Sequence, residues 1–387
     1  MRKDYPSIML VAGEASGDHH AADLFRQLKQ LLPGVQGMGM GGGQMRAAGV
    51  EIRVDSTELG VIGLAEVIRH YPAIRQALQT MRRALRQERP DLLICVDYKE
   101  FNFRLARTAK SLGIKVLFYV SPQVWAWRQG RVRSYGQVID HMAVIFPFEV
   151  PFYERHNIPV TFVGHPLADK VKPALSREDA LNRLGLSRLL PVIGLLPGSR
   201  TQEIRHLLPV ILKSAQELER LHPDIQFVLF KAPAVSDSAL QHELTRYAVR
   251  VTLIEGQNYD ALQCCDAVIT VSGTATLEVA LMGIPHCIIY RLSRLSYWLG
   301  RMLVKISWIG LPNILAGRGI VREFIQDAAN PNNIASEIDK ILKDDGYAEQ
   351  MRTDLHAVRT LLGSPEAAGK LAALARDLLC ENEKTQV

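Results

Sequence analysis

The chain has 387 residues, 48% hydrophobic and 22% charged, a balance that fits about two globular domains and excludes a disordered chain, a collagen-like repeat and a disulfide-stapled miniprotein. Lys and Arg number 46 against 40 Asp and Glu, a formal charge of +6 that suits an anionic partner: nucleic acid, a phosphorylated substrate or an anionic membrane. The five cysteines are an odd number without a Cys-x-x-Cys spacing, as in a reduced, cytosolic chain with no metal cluster.

In chain order, residues 7–11 are the first apolar run, and Gly13-Glu14 cuts it too short for a secretory leader. No apolar stretch reaches the roughly 18 residues of a membrane-spanning helix. Residues 92–96, 115–120 and 142–145 read as further buried strands, with helical spacing over 18–31 and 101–112. The glycine cluster 37–43 reads as a flexible cleft loop. Leu32-Pro33-Gly34 before it is turn chemistry, so its formal G-x-G-x-x-G lacks the preceding strand of a dinucleotide site. Val61, Ile62, Leu64, Val67 and Ile68 form a short apolar element that Pro72 ends. A second series of strands covers 192–196, 225–230, 251–254, 267–271 and 284–289, with a helix over 204–221. Between the series, the Gly- and Pro-containing stretch from Phe162 to about Leu190 reads as a hinge.

The alternation predicts βα units and parallel sheets. The economical architecture is two doubly wound sheets with a cleft between them: a first domain over 1–168, a second over 169–345, and C-terminal helices over 346–387. Leu371, Leu374 and Leu378 share one face of the last helix.

Candidate site residues cluster where predicted strands end, the usual place for ligands in open α/β sheets. Gly13, Glu14, Ser16, Gly17 and Asp18 follow the first strand and open the first helix. They form either a ligand-approach turn or a plain helix cap. Asp97 and Glu100 lie just after the strand 92–96, placed for a general base or for a helix cap. Gly198, Ser199 and Arg200 follow the first strand of the second half, a turn whose amides, hydroxyl and guanidinium suit a diphosphate. Ser272, Gly273, Thr274 and Thr276 make a similar turn after 267–271, and Glu278 falls one helical turn after Thr274, where a carboxylate fits paired ribose hydroxyls.

No Asp-x-Asp, HExxH or Cys/His cluster occurs, so neither a metal nor another cofactor is expected. No G-x-S-x-G or Walker A string occurs either, which argues against acyl hydrolases and P-loop NTPases. Residues 61–89 interleave apolar positions with Arg69, Arg75, Arg82, Arg83, Arg86 and Arg89. Residues 279–322 carry Arg291, Arg294, Arg301, Lys305, Arg318 and Arg322 with Tyr297, Trp298 and Trp308, and no Asp or Glu. Both read as membrane-interface surfaces, with ordinary core helices as the rival. No nucleic-acid motif accompanies the charge.

Several strings coincide in order: Gly13 to Asp18, Tyr119-Val120-Ser121-Pro122-Gln123-Val124-Trp125-Ala126-Trp127-Arg128, Phe146-Pro147-Phe148-Glu149, Phe162 to Leu167, Leu195 to Arg200, Ser272 to Glu278, and Leu311-Pro312-Asn313. Together they resemble the lipid-A-disaccharide synthase family over nearly the whole chain. The resemblance implies a GT-B glycosyltransferase of two Rossmann-like domains, the acceptor on the first and the nucleotide sugar on the second. It implies UDP-2,3-diacylglucosamine and 2,3-diacylglucosamine 1-phosphate as substrates, with inversion at the anomeric carbon and release of UDP. It places the enzyme in the cytoplasm on the inner leaflet of the inner membrane, with a homodimer open. It puts the acceptor near Gly13–Asp18 and the donor at 198–200, 272–278 and Asn313.

The family carries Asp-x-Pro-Asp-Phe-Asn where this chain has Asp97-Tyr98-Lys99-Glu100-Phe101-Asn102. Glu100 aligns with the family's second carboxylate and has the longer reach, which favours it as the base over Asp97, the alternative; Arg200 stabilises the leaving diphosphate. The rival enzymes are a UDP-N-acetylglucosamine 2-epimerase and a peptidoglycan-type glycosyltransferase, against both of which the Ser-Pro-x-Val-Trp-Ala-Trp string stands. The non-enzymatic rival is a membrane-docked nucleotide-sugar-binding regulator, which needs no carboxylate at its cleft.

Overall fold

The computed structural model describes residues 5–57, 64–127, 129–233, 235, 237–256, 258–291, 307–363 and 366–385. They divide into two units: 1–166 with 362–387, and 167–361.

In the first unit the described strands are β1 (Ser7–Ala12), β2 (Gln36–Gly41), β3 (Glu51–Asp55), β4 (Leu92–Val96), β5 (Lys115–Tyr119), β6 (His141–Val144) and β7 (Val160–Phe162). They pair in parallel in the order β3-β2-β1-β4-β5-β6-β7. Every residue of β1 and β4 is buried, as expected of strands covered on both faces. The chain winds one way from β1 to β3 and the other way from β4 onward, so the order reverses between β1 and β4. The helices of this unit include α1 (Ala15–Leu31), α2 (Gly43–Ala47), α3 (Leu64–Glu88) and α4 (Lys99–Ser111).

The second unit repeats the plan with β8 (Val192–Leu196), β9 (Gln226–Lys231), β10 (Thr252–Glu255), β11 (Ala267–Val271), β12 (His286–Tyr290) and β13 (Arg322–Ile325). They pair in the order β10-β9-β8-β11-β12-β13, so β8 and β11 flank its switch point. Both units are therefore Rossmann-like. The edge strands β3, β7 and β13 escape a hydrophobic reading because they are short and incompletely buried.

Three local expectations change. The glycine cluster is not a loop: residues 36–41 form β2, paired with β1. Met38 and Met40 are buried in the core, and the alternating glycines leave the other face bare. A Cβ on Gly37 would stand 2.6 Å from the Phe25 ring of α1, and one on Gly39 only 1.8 Å from the Leu10 carbonyl oxygen. Pro72 does not end an element either, since α3 runs through it. Buried Ala77, Leu78, Met81 and Leu85 further along the helix offset the hydrogen bond that the proline removes. The C-terminal stretch also divides. The helix Asp345–Leu361 belongs to the second unit, whereas the helix Ala367–Thr385 packs on α1 of the first. Lys115 Nζ ties that last helix to β5 through the Leu378 carbonyl at 3.1 Å and the Glu381 carboxylate at 3.2 Å.

Gly39→Ala should lower the melting temperature of the first unit by several degrees, because a backbone clash costs on the order of 1–3 kcal/mol or more. Gly43→Ala is the control, since nothing lies within 4 Å of its added Cβ. Equal melting temperatures for the two variants would contradict this packing.

Candidate active site

The first switch point is built by backbone strain and close approach. Immediately after β4, Asp97 and Tyr98 both adopt left-handed conformations, with φ of +47° and +44°, which costs side-chain-bearing residues energy. Asn102, wholly buried on α4, holds this elbow. Its Nδ2 donates to the carbonyls of Asp97 at 2.7 Å, Val96 at 3.3 Å and Val11 at 3.4 Å. The elbow presents the Tyr98 ring to the end of β1, where a Cβ on Gly13 would stand 2.3 Å from it. Only glycine permits that approach.

Gly13, Glu14, Tyr98, Lys99 and Glu100 line a cavity of about 660 Å³ in this unit. Its far wall is α3 and α4, which contribute Ile74, Leu78 and Phe101 together with Arg75, Arg82, Arg104 and Arg107. Ser16 is exposed in the first turn of α1, while Gly17 is buried, its Cα facing Ala12 and Val96. Asp18 is spent on structure: its buried carboxylate accepts from the amides of Gly42 at 2.7 Å, Gln44 at 2.9 Å and Met45 at 3.1 Å, and so caps α2.

The two base candidates separate. Glu100 is 60% exposed at the side chain and engages Arg131 through both oxygens, the longer contact being 3.2 Å. Asp97 is half-buried, and among the described residues its carboxylate has no hydrogen-bond or ion-pair partner. A guanidinium fork occupies the carboxylate oxygens and holds them in place. The alignment that favoured Glu100 could not show that Arg131 claims it.

At the second switch point, Gly198 has φ +105°, and Glu203 organises the turn after β8. Its carboxylate accepts from the amides of Ser199 at 3.0 Å and Arg200 at 3.2 Å, and pairs with the Arg200 guanidinium at 2.8 Å. Arg200 keeps 67% of its side chain exposed. After β11, Gly273 and Thr274 are exposed. Ser272 Oγ donates to the Ile309 carbonyl at 3.1 Å, and the buried Thr276 hydroxyl donates to the Gly273 carbonyl at 2.7 Å. Glu278 is buried, its pKa pushed up to about 7 by desolvation, with the Tyr259 hydroxyl as hydrogen-bond partner. Asn313 is saturated. Its Nδ2 donates to Val321 O at 2.9 Å and Glu323 Oε1 at 2.8 Å, and its Oδ1 accepts from the amides of Ile320 and Val321 at 2.8 and 3.0 Å.

Of the expected membrane element, Val61 and Ile62 lie outside the described residues, as do the side chains of Leu64, Val67 and Ile68. In the second basic stretch, residues 292–306 lie outside them too. Two of its arginines serve the fold: Arg291 donates to the Ala329 carbonyl at 2.5 Å, and Arg318 pairs with both oxygens of Asp354, one at 3.1 Å. Among the described residues, no helix is long and apolar enough to cross a membrane, and no three metal-ligating side chains converge.

With these two turns in place, the comparisons with known proteins are decisive. The family described as lipid-A-disaccharide synthetase matches residues 8–375. The lipid-A-disaccharide synthase of Geobacter sulfurreducens is 50% identical over 372 residues, 96% of this chain and 97% of that one. The chain belongs to the lipid-A-disaccharide synthase family. The Nitrosococcus oceani member is 49% identical over 94% of both chains, and that of Coxiella burnetii 39% over 96% of this chain and 98% of its own. Among solved structures, the fold resembles UDP-N-acetylglucosamine 2-epimerase from Neisseria meningitidis bound to UDP-GlcNAc, with TM-score 0.63, 13% identity, and 97% and 100% of the two chains covered. It also resembles sucrose-phosphate synthase from Thermosynechococcus elongatus, with TM-score 0.57, 14% identity, and 97% and 100% covered.

Two strings used above to recognise the lipid-A-disaccharide synthase family turn out to touch each other. Ser121 lies just after β5, and Glu149 opens the helix Glu149–Glu154 just after β6. The Ser121 hydroxyl donates to the buried Glu149 carboxylate, as does the Trp125 side chain, and the Phe146 amide donates at 3.1 Å. Trp125 stacks edge-on against Phe148 at 4.8 Å, and Phe146 covers His165 at 5.1 Å. Burial pushes the Glu149 pKa up to about 7 and the His165 pKa down to about 3. Glu149, Glu203, Arg131 and Tyr259 were not picked out from the sequence as functional. Glu203 had a signal, lying three residues after Arg200 in capping-box spacing. The other three meet their partners only through the fold.

A carboxyl whose pKa is raised in the folded state stabilises the fold below its unfolded pKa, near 4.5, and that contribution is lost as pH rises through about 7. Glu149→Gln removes this dependence. The stability difference between variant and parent should move in the variant's favour between pH 5 and pH 8, by up to about 3 kcal/mol. Thermal unfolding at the two pH values measures it, and a pH-independent difference would show that Glu149 is ionised throughout.

Proposed function

We propose that the chain transfers 2,3-diacylglucosamine from its UDP derivative to the 6-hydroxyl of 2,3-diacylglucosamine 1-phosphate, giving the β-1,6-linked disaccharide 1-phosphate and UDP. One observation carries this reading. The Gly13-Glu14 turn and the Asp97-Tyr98 elbow meet at the switch point beside a cavity that is at once apolar and basic, in a chain whose family match spans residues 8–375. Acylated, phosphorylated sugars need a surface of both characters. The epimerase likeness, at 13% identity, concerns the fold alone.

In the proposed step the acceptor oxygen O6 forms a bond to the donor's anomeric carbon as that carbon's bond to the UDP oxygen breaks. Attack from the opposite face inverts the centre through an oxocarbenium-like transition state, as in glycoside hydrolysis. Asp97 takes the hydroxyl proton, because among the described residues no partner claims its carboxylate. Glu100 instead holds Arg131. Charge growing on the leaving diphosphate meets the exposed Arg200 guanidinium and the Gly273–Thr274 turn at a helix N-terminus. Glu203 occupies the Ser199 and Arg200 amides, so Arg200 acts through its side chain. Glu278, one helical turn after Thr274, is assigned to the ribose hydroxyls, and Asn313 to the donor side of the site. The chain works at the surface of the cytoplasmic leaflet, where both acylated substrates reside; exposed Tyr71 with Arg83 and Arg86 of α3, which lie outside the cavity lining, suit that surface.

The assay supplies both acylated sugars and follows UDP release. Asp97→Asn should lower kcat by roughly 10²-fold or more, with donor KM little changed. Glu100→Gln should cost clearly less. The reverse ranking would assign the proton to Glu100, and no UDP release by the parent would remove the reading.

A further inference from the structure

Arg75 and Arg82 on α3 and Arg104 and Arg107 on α4 all line the first-unit cavity. Among the described residues, none of these four guanidinium groups is paired with a carboxylate. Arg82 reaches only the Arg104 carbonyl, at 3.4 Å, and its Nε is buried with no hydrogen-bond partner. A buried unpartnered donor is costly, and gathering like charges at a half-apolar wall adds repulsion. Of the carboxylates at the rim, Glu100 is engaged by Arg131. Four arginines lining one cavity, Arg82 half-buried and the other three exposed, are suited to a phosphate dianion, whose oxygens accept bidentately. Beside them, Ile74, Leu78 and Phe101 offer an apolar wall, so the ligand carries hydrocarbon next to its phosphate.

We propose that this arginine cluster is the subsite for a sugar phosphomonoester, the anomeric phosphate of the acceptor. The proposal rests on the functional reading above and adds the group that selects the acceptor. In a hexopyranose, C1 and C5 flank the ring oxygen, so a sugar whose 6-hydroxyl reaches the Asp97 elbow carries its 1-phosphate within one ring of it. The cavity runs over that span, from Gly13 and Tyr98 to the arginines. Arg82 is then a specificity-determining residue: it reads the phosphate and takes no proton.

The test compares 2,3-diacylglucosamine 1-phosphate with the same diacylglucosamine lacking the phosphate. Arg82→Gln and Arg104→Gln should each raise KM for the phosphorylated acceptor roughly tenfold or more, the scale of a lost charged hydrogen bond. Donor KM should be unchanged, and kcat/KM for the phosphate-free acceptor should change less than about twofold. Arg82→Lys should recover part of the loss, and the variants' melting temperatures check that they fold. An equal penalty on both acceptors would overturn the proposal, since the arginines would then be merely structural. Lost binding to phosphatidylglycerol vesicles with unchanged acceptor KM would also overturn it, assigning the cluster to lipid headgroups. Calorimetric binding of the phosphorylated acceptor to the parent and to Arg82→Gln decides the site independently of turnover. Equal affinities would refute the subsite, whereas normal binding differences without UDP release would refute only the functional reading.

Discussion

One wholly buried amide holds the first site together. Asn102 sends its two N–H groups to three carbonyls, one at the end of β1 and two at the end of β4. The strands on either side of the switch point are thereby tied at the point where their order reverses. Without that tie, two consecutive left-handed residues at Asp97 and Tyr98 would have no reason to persist, since each is strained. The elbow presents the Tyr98 ring to Gly13, and among the described residues the Asp97 carboxylate has no hydrogen-bond or ion-pair partner. The glycine turn and the cavity mouth both depend on one side chain's hydrogen bonds.

The same device recurs with carboxylates. Asp18 gathers three amides at the start of α2, Glu203 gathers two at the turn after β8, and Glu323 accepts from the amides of Ile309 and Gly310, both at 2.9 Å. Each places a fixed negative charge on a helix N-terminus, where orphan donors and the dipole favour it. In the second unit this leaves the Ser199 and Arg200 amides occupied and the Arg200 guanidinium paired with Glu203 while two-thirds exposed, with the Gly273–Thr274 edge open to solvent. In the first unit the balance is opposite: among the described residues, Arg75, Arg82, Arg104 and Arg107 pair with no carboxylate. The two switch points share a topology and differ in electrostatics.

Buried ionisable groups mark where the fold tolerates cost. His165 and His286 are held neutral, with pKa values pushed down to about 3 and about 4, while Glu149 and Glu278 are pushed up to about 7. In each case desolvation is the largest cause; hydrogen bonds soften it for His286, Glu149 and Glu278, whereas the His20 charge deepens it for His165. Glu149 has the densest set of such neighbours, contributed by the loops after β5 and β6. A polar group that deep is retained where it fixes loop geometry that apolar packing alone would leave degenerate.

The alternation of apolar runs with helical spacing was enough for two parallel α/β units, because buried parallel strands are continuous hydrophobic segments such as residues 92–96. The turns at 13–18, 198–200 and 272–278 were legible as site candidates, since glycine and hydroxyl residues after a strand have few other uses. Residues 37–43 misled because their glycines are spent on close packing against Phe25 and Leu10, which composition reports as flexibility. The base could not be chosen from the alignment of Glu100, because Arg131, 31 positions away, decides which carboxylate is paired. The four hydrogen-bonding positions of Asn313 are filled by one segment, residues 320–323, a pairing that residue pattern alone does not announce. Sequence determines which residues are available at the strand ends, by local pattern. Partnership is decided by the tertiary structure alone, since a hydrogen bond or ion pair between distant residues leaves no periodic trace in the chain.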